Sequence, residues 1–362
     1  MNKGKKVIYF NHWFSSMECL MLDLKNKYKD DITLVASSSN DNVTYKNVVD
    51  IFVKTDETFD EWIDLCNRYK VDVFFCRDKF NIVSHKQLKE FRSAGVEVIL
   101  DKNELADDKV EFYRLMDDIC RFNIFPDIVI PYYATFDGCE TKKDVMQMLN
   151  RIFAYLNTNG LTPTFKLRDG EGGISYRIVR VDDKSNYDSL SYSNGRVLGY
   201  DDTIRLFNNL TGDEAKTIMF MEKLDAPEIS IDCYDSKHYG FIAYGREKIG
   251  RQQLIFDCQN TDNREHIEMR EFAYKIAKSF NLKNPFNVQF MRCARTGSLA
   301  ILEVNTRLSG GSYMLTPLGI NLCDIVINDR LFDTEKRCNL NLGFNNGKSQ
   351  ALVARTEKPV LV

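Results

Sequence analysis

Four short apolar runs punctuate the first hundred residues: Lys6–Phe10 (KVIYF), Ile32–Ala36 (ITLVA), Val71–Cys76 (VDVFFC) and Val96–Leu100 (VEVIL). Runs of four to six apolar residues without alternation read as strands buried on both faces, the situation of a parallel sheet covered by helices. Between the last two runs, Ser84-His85-Lys86-Gln87 has the spacing of a capping box, and Gly95 stands where the helix it opens would end. This β-α-β rhythm predicts a small doubly wound sheet. The first strand leads into Asn11-His12-Trp13-Phe14-Ser15-Ser16 rather than a glycine-rich turn. Without glycines the backbone cannot approach a pyrophosphate closely, so no dinucleotide site is expected at that turn.

Charge and cysteine usage remove several function classes. The chain has 362 residues, with 49 Lys+Arg against 52 Asp+Glu and a formal net charge of −3. Such a balance offers no global attraction to nucleic acid or to an anionic membrane. No apolar run approaches the roughly 18 residues of a transmembrane helix, and MNKGKKVIYF has no signal-peptide apolar core. The expectation is a cytoplasmic protein with no nucleic-acid or membrane partner. The ten cysteines are dispersed, none in a C-x-x-C pair, and most lie in apolar segments where a thiol behaves as a small hydrophobe. Four histidines (His12, His85, His238, His266) show no metal-ligand spacing.

Beyond about Asp101 the pattern changes. Residues 107–120 predict a helix with acidic residues in its first turn, and 141–157 predict a longer one with Val145, Met148, Leu149, Ile152, Phe153 and Leu156 on one face. Strands follow from Pro163 to about Val181, with Asn194-Gly195 as a hairpin-type turn. Strand alternation resumes after Met219, then a helix at about 264–280, then strands near 287–292 and 299–305. The order is that of an α+β body. The last thirty residues read as an edge strand or a tail. Gly343–Ser349 (GFNNGKS) has one residue too few between its glycines for a Walker A loop and reads as a surface turn.

The strand Leu299–Arg307 (LAILEVNTR) carries the strongest chemical signal. Side chains alternate across a strand, so Glu303, Asn305 and Arg307 share one face while Leu302 and Val304 turn to the other. A carboxylate, an amide oxygen and a guanidinium in one row, followed by Ser309-Gly310-Gly311, suit Mg²⁺-bound phosphates. The same row also fits an exposed sheet face with a surface ion pair. Gln289, on the preceding strand, adds a further candidate oxygen. Lys166 stands at a strand end before Asp169-Gly170-Glu171-Gly172-Gly173, where backbone N–H groups and one point charge can line a triphosphate. Met219–Leu224 (MFMEKL) is an apolar strand ending in an acid, and Glu228, Ser230 and Asp232 alternate with Ile229, Ile231 and Cys233. Arg246 and Lys248 share a face further on, and each of these strands alone reads as half-buried with one polar side.

Taken in order, Lys109, Lys166 with its glycine turn, Glu222-Lys223-Leu224, Glu228, Gln289 and the ILEVNTRLSGG run resemble the ATP-grasp proteins, most closely the carbamoyl-phosphate synthase large-chain type and the carboxylate–amine ligases. The resemblance covers about residues 101–325. It implies a Rossmann-like pre-ATP-grasp domain over 1–104, an ATP-grasp domain over 105–330 with a lid subdomain at about 163–222, and a C-terminal tail or edge segment over 331–362. It implies that Lys109 and Lys166 contact ATP phosphates and that Gly170, Gly172 and Gly173 close over them. Glu222 with the backbone of Lys223 and Leu224 would hold adenine, and Glu228 the ribose. Gln289, Glu303 and Asn305 would ligate Mg²⁺ (or Mn²⁺), and Arg307 would stabilise the transferring phosphoryl group. The implied activity is ligation of a small carboxylate to an amine through an acyl phosphate, by an enzyme that often pairs as a homodimer. A phosphotransferase of the same fold and a non-catalytic nucleotide-binding subunit are the alternatives. Acceptor specificity is expected at Asn11–Ser16, Arg77-Asp78, Arg292 and Ser309–Tyr313. Arg77 and Arg292 read rather as surface ion pairs than as carboxylate clamps.

Overall fold

The computed structural model describes residues 4–78, 83–120, 125, 127–169, 175–180, 197–250, 252–332 and 349–354. The chain divides into two compact units. One comprises Met1–Asn103, Ile229–Gln289 and Val304–Val362, the other Glu104–Glu228 and Phe290–Glu303.

The front of the first unit is a five-stranded sheet: β1 (Lys6–Phe10), β2 (Ile32–Ser38), β3 (Ile51–Lys54), β4 (Val73–Phe75) and β5 (Glu97–Val98). The order is β3-β2-β1-β4-β5 and every pairing is parallel. All four apolar runs became strands. The fifth, β3, was not expected, because Ile51–Lys54 is only half-buried and ends in an exposed lysine. Helices Phe59–Tyr69 and His85–Ser93 open on capping boxes at Thr58/Glu61 and Ser84/Gln87. Gly95 follows the second with φ +81°. Tyr9 and Phe74 stack at 4.5 Å on one face of the sheet, and Phe10 and Phe75 at 4.8 Å on the other.

The second unit begins with the helices Glu104–Asp107 and Lys109–Cys120, the expected 107–120 helix with a break at Asp108. Asp108 uses its carboxylate to accept the Val110 N–H at 2.8 Å, which restarts the helix. Its strands are β6 (Ile128–Val129), β7 (Tyr133–Thr135), β8 (Pro163–Leu167), β9 (Arg177–Arg180), β10 (Val197–Gly199) and β11 (Ile218–Glu222). Five of these form a sheet in the order β10-β9-β8-β11-β7. The helix Lys142–Thr158 starts on a Thr141/Asp144 capping box and buries Val145, Leu149, Ile152, Phe153 and Leu156 as anticipated. These pack with Phe165, Phe207 and Phe220 into one apolar cluster. Two helices, Tyr200–Asn208 and Gly212–Lys216, occupy sequence between Asn194-Gly195 and Met219 for which no element was expected. Asn194-Gly195 lies outside the described residues.

After β11 come β12 (Leu224–Ser236), β13 (Gly240–Ile249), β14 (Gln252–Asp257), the helix Arg264–Phe280, β15 (Phe286–Cys293), β16 (Leu299–Asn305) and β17 (Gln350–Ala354). Within the first unit the order is β17-β14-β13-β12-β15, with β17 antiparallel to β14 at the edge. Within the second unit the order is β15-β16-β6, with β6 parallel to β16. A single apolar cluster of the first unit joins Ile8, Phe10 and Leu20 of the front to Tyr244, Leu308, Leu315 and Val326. Residues 308–327 therefore pack on the helix Glu18–Tyr28, whose Tyr28 hydroxyl donates to Asp324 at 2.7 Å. Gly343–Lys348 of the Walker-like stretch lie outside the described residues. Of the described cysteines only Cys19 is exposed; Cys66, Cys76, Cys139, Cys233, Cys258, Cys293 and Cys323 are buried.

Candidate nucleotide site

In the second unit, Lys166 lies on β8 with a relative exposure of 7%, and Lys109 opens its helix at 8%. Both the Lys109 amide and its Nζ donate to the Arg168 carbonyl, at 3.2 and 3.1 Å, which ties the helix start to the end of β8. Burial pushes the Lys166 ammonium down to about 8; the Glu303 carboxylate works against that and the Lys109 charge adds to it. Two lysines and the carboxylate of β16 thus act on one another inside a single unit. Tyr113 lies beside them, its hydroxyl donating to the Leu302 carbonyl at 2.8 Å and its ring stacked on Tyr133 at 5.2 Å.

Arg168 is the residue here that sequence reasoning undervalued. Its guanidinium donates to Asp108 at 2.8 to 3.2 Å and to Asp137 at 3.0 Å. These bonds anchor β8 immediately before Gly170. The positions Gly170, Gly172 and Gly173 lie outside the described residues.

Glu222 ends β11 and is 1% exposed. Its Oε1 accepts the Tyr132 N–H at 2.8 Å and lies 3.6 Å from Arg295, while its Oε2 accepts the Cys293 thiol at 3.8 Å. The Lys223 amide donates to the Thr162 carbonyl at 2.9 Å and its Nζ to Asp225 at 2.7 Å. Both the Glu222 carboxylate and the Lys223 amide are thus hydrogen-bonded within the unit. Leu224 is buried at 5%, and Glu228, four residues along β12, is half-buried.

Glu303 and Asn305 are both half-buried on β16 and alternate with Val304, which is 6% exposed. Ile301 shares their face and is fully buried, so the polar row starts only at Glu303. Gln289 on β15 and Arg307 are likewise half-buried, in the first unit with Asn305. Glu303 belongs to the second unit and Gln289 and Asn305 to the first; a carboxylate and amide oxygens are donor types that suit Mg²⁺. Among the described residues no group of three His, Cys, Asp or Glu is placed to hold a metal by itself.

Three of the four segments expected to set acceptor specificity lie in the first unit. Asn11 bonds the Arg77 backbone on both sides, at 2.7 and 3.2 Å, and the Arg77 guanidinium stacks on the Phe14 ring at 3.9 Å and donates to the His12 carbonyl at 2.8 Å. Gly310 faces that ring so closely that a Cβ would come within 2.6 Å of it. Arg77 is 8% exposed, which corrects its reading as a surface ion pair. Arg292 belongs to the second unit and donates to the Gly297 carbonyl at 3.3 Å across its own hairpin.

A family model described as ATP-grasp in the biosynthetic pathway with Ter operon matches residues 214–348. The carbamoyl phosphate synthase large chain of Saccharolobus islandicus is 35% identical over 65 residues, which is 18% of this chain and 6% of that protein. N5-carboxyaminoimidazole synthetase from Staphylococcus aureus, solved with ADP, superposes with a TM-score of 0.61 at 13% identity over 91% of this chain and 78% of that one. The biotin carboxylase domain of Hydrogenobacter thermophilus 2-oxoglutarate carboxylase, solved with MgADP, ADP and bicarbonate, gives 0.62 at 15% identity over 92% and 72%. At such identities the structural likeness speaks for the fold. The sequence match identifies residues 214–348 as similar to an ATP-grasp family, and the whole chain shares its fold with these nucleotide-bound structures.

Proposed function

We propose that the chain is an ATP- and Mg²⁺-dependent ligase that activates a small carboxylate as an acyl phosphate and joins it to an amine. The observation that carries this reading is the grouping of Lys109, Lys166 and Glu303 in one unit, where burial lowers the Lys166 pKa, Glu303 opposes that shift and Lys109 adds to it. The described domain division at 1–104, 105–330 and 331–362 belongs to the same proposal.

A carboxylate oxygen of the acid attacks the γ-phosphorus, the bond to ADP breaks, and ADP leaves. The amine nitrogen then attacks the acyl carbon, phosphate leaves with the former carboxylate oxygen, and the nitrogen sheds its proton. Lys109 and Lys166 neutralise the phosphates, Arg307 stabilises the charge that develops on the transferring phosphoryl group, and Glu222–Leu224 present main chain to the base. Glu303, with the Asn305 and Gln289 amide oxygens, would hold Mg²⁺, which would supply charge neutralisation on the phosphate oxygens. No nucleophilic side chain is required, in keeping with the buried cysteines.

Incubating the full chain with ATP, Mg²⁺ and pools of acids and amines tests the reading. Formation of ADP and free phosphate supports it, and AMP with pyrophosphate overturns it. ADP without free phosphate, alongside a phosphorylated acceptor, would make the chain a phosphotransferase. Arg307→Ala should lose turnover and keep much of the ATP affinity, whereas a non-catalytic nucleotide-binding subunit has no turnover to lose.

A further inference from the structure

The turn Ser309-Gly310-Gly311, two residues beyond Arg307, is held by a chain of polar contacts that starts in the sheet. Asp232 on β12 is 1% exposed and Arg246 on β13 is 6% exposed. Ser230 is the backbone partner of Arg246 and Tyr244 that of Asp232, so the two side chains meet diagonally on one face. Arg246 Nε donates to Asp232 Oδ2 at 2.6 Å and its Nη2 lies 3.4 Å from Oδ1. Its Nη1 donates to Gln253 Oε1 at 3.1 Å, which fixes the fork from the other side. Asn287 on β15 donates to Asp232 Oδ1 at 3.0 Å and so orients the carboxylate in turn.

The guanidinium then reaches the turn. Arg246 Nη2 donates to the Ser309 hydroxyl at 3.0 Å, and that same oxygen accepts the Gly311 N–H at 3.1 Å. The Ser309 carbonyl accepts the Ser312 amide and hydroxyl, at 3.2 and 2.9 Å. Gly311 has no space for a side chain: a Cβ would stand 2.3 Å from Arg246 Nη1 and 2.9 Å from its Cζ. A guanidinium at the end of a loose side chain would swing aside, but this one is fixed at two nitrogens by Asp232 and at a third by Gln253.

We propose that Arg246, oriented by Asp232, is a positioning residue that pins the Ser309–Gly311 turn and so fixes the backbone that follows β16, on which Arg307 lies. This rests on the ligase reading for its effect on turnover and is independent of it for its effect on the turn. Arg307 needs a fixed backbone because it acts on charge that exists only in the transition state. Lysine in place of Arg246 keeps the charge but lacks the planar fork that engages Asp232, Gln253 and Ser309 together.

The test compares wild type with Arg246→Lys, Gly311→Ala, the double variant of these two, and Asp232→Asn/Arg246→Met, which removes both buried charges and guards against simple unfolding. Amide hydrogen exchange at Gly311 and Ser312 is measured alongside kcat and the KM for ATP. The expected result is exchange at least about tenfold faster in every variant, with kcat down about tenfold and the KM for ATP within about twofold of wild type. The double variant should lose no more than the worse single one, since both break one device. Wild-type exchange at both amides in Arg246→Lys and Gly311→Ala would overturn the proposal, as would additive losses in the double variant. If wild type turns over no ATP, the ligase reading fails while the exchange rates still decide whether Arg246 pins the turn.

Discussion

ATP affinity should fall steeply between pH 7 and pH 9, and Lys166 is the reason. Its ammonium is buried at 7% exposure and its pKa is pushed down to about 8, burial being the largest cause, with Lys109 adding to it and Glu303 opposing it. A triphosphate placed against the ammonium favours the charged form, so the bound complex holds its proton well above pH 8. At pH 7 about nine-tenths of the free protein already carries the charge, but at pH 9 only about one-tenth does. Binding that requires the charged form is then weakened about tenfold over those two pH units, close to 1.4 kcal/mol. The assay is titration calorimetry with MgADP, or a non-hydrolysable MgATP analogue, at pH 7, 8 and 9 in buffers of different ionisation enthalpy. Uptake of about half a proton per nucleotide is expected at pH 8. Lys166→Arg, charged throughout, should abolish both the slope and the uptake. A flat affinity in wild type, or proton release on binding, would refute the reasoning. The same depression has a stability counterpart. Because the folded-state value lies below the ordinary 10.5, the unfolded chain holds more protons between about pH 8 and 10.5. Stability from this group therefore rises with pH across that window, by up to about 3 kcal/mol.

Four further outcomes follow from particular contacts. Glu303→Gln removes the charge that supports the Lys166 proton, so the pH at which nucleotide affinity falls should move below that of wild type in the same titration. Glu222→Ala leaves the Tyr132 N–H without its 2.8 Å acceptor inside the second unit and should cost about 2–4 kcal/mol in urea denaturation, with no new pH dependence of nucleotide binding. Gly245→Ala sets a Cβ 2.0 Å from the Phe256 ring, and because these residues are backbone partners on β13 and β14 neither can retreat. Overpacking of about 1–3 kcal/mol or more is expected, read as a lowered denaturation midpoint. Thr141→Ala removes the 3.2 Å cap on the Asp144 amide and should lower stability by about 1 kcal/mol, with ATP binding unchanged.

Features written into neighbouring residues were legible before any coordinates. The capping pair Ser84/Gln87 did open its helix, and the apolar face of 142–158 did become core. Runs such as VFF were strands because nothing in them tolerates solvent. Features that depend on which strand lies beside which were not legible. Asp232 and Arg246 each read as one polar residue on a half-buried strand, and only the β12–β13 register makes them a buried, hydrogen-bonded pair. Glu222 read as an adenine contact, while its carboxylate is taken by Tyr132, ninety residues earlier in the chain. Arg77 read as a surface charge because no local pattern shows that Phe14 lies over its guanidinium. The helix Tyr200–Asn208, with Asp201 and Asp202 in its first turn, fell in a stretch to which no element was assigned from the sequence.

The most direct test of the central claim follows one oxygen atom. Once the pool screen yields an acid that supports ADP formation, that acid is labelled with ¹⁸O in its carboxylate and incubated with the full chain, ATP, Mg²⁺ and the amine. An acyl phosphate carries one carboxylate oxygen to phosphorus, so the released phosphate should contain one ¹⁸O atom per turnover by mass spectrometry. Unlabelled phosphate, or label appearing in AMP, would contradict the account.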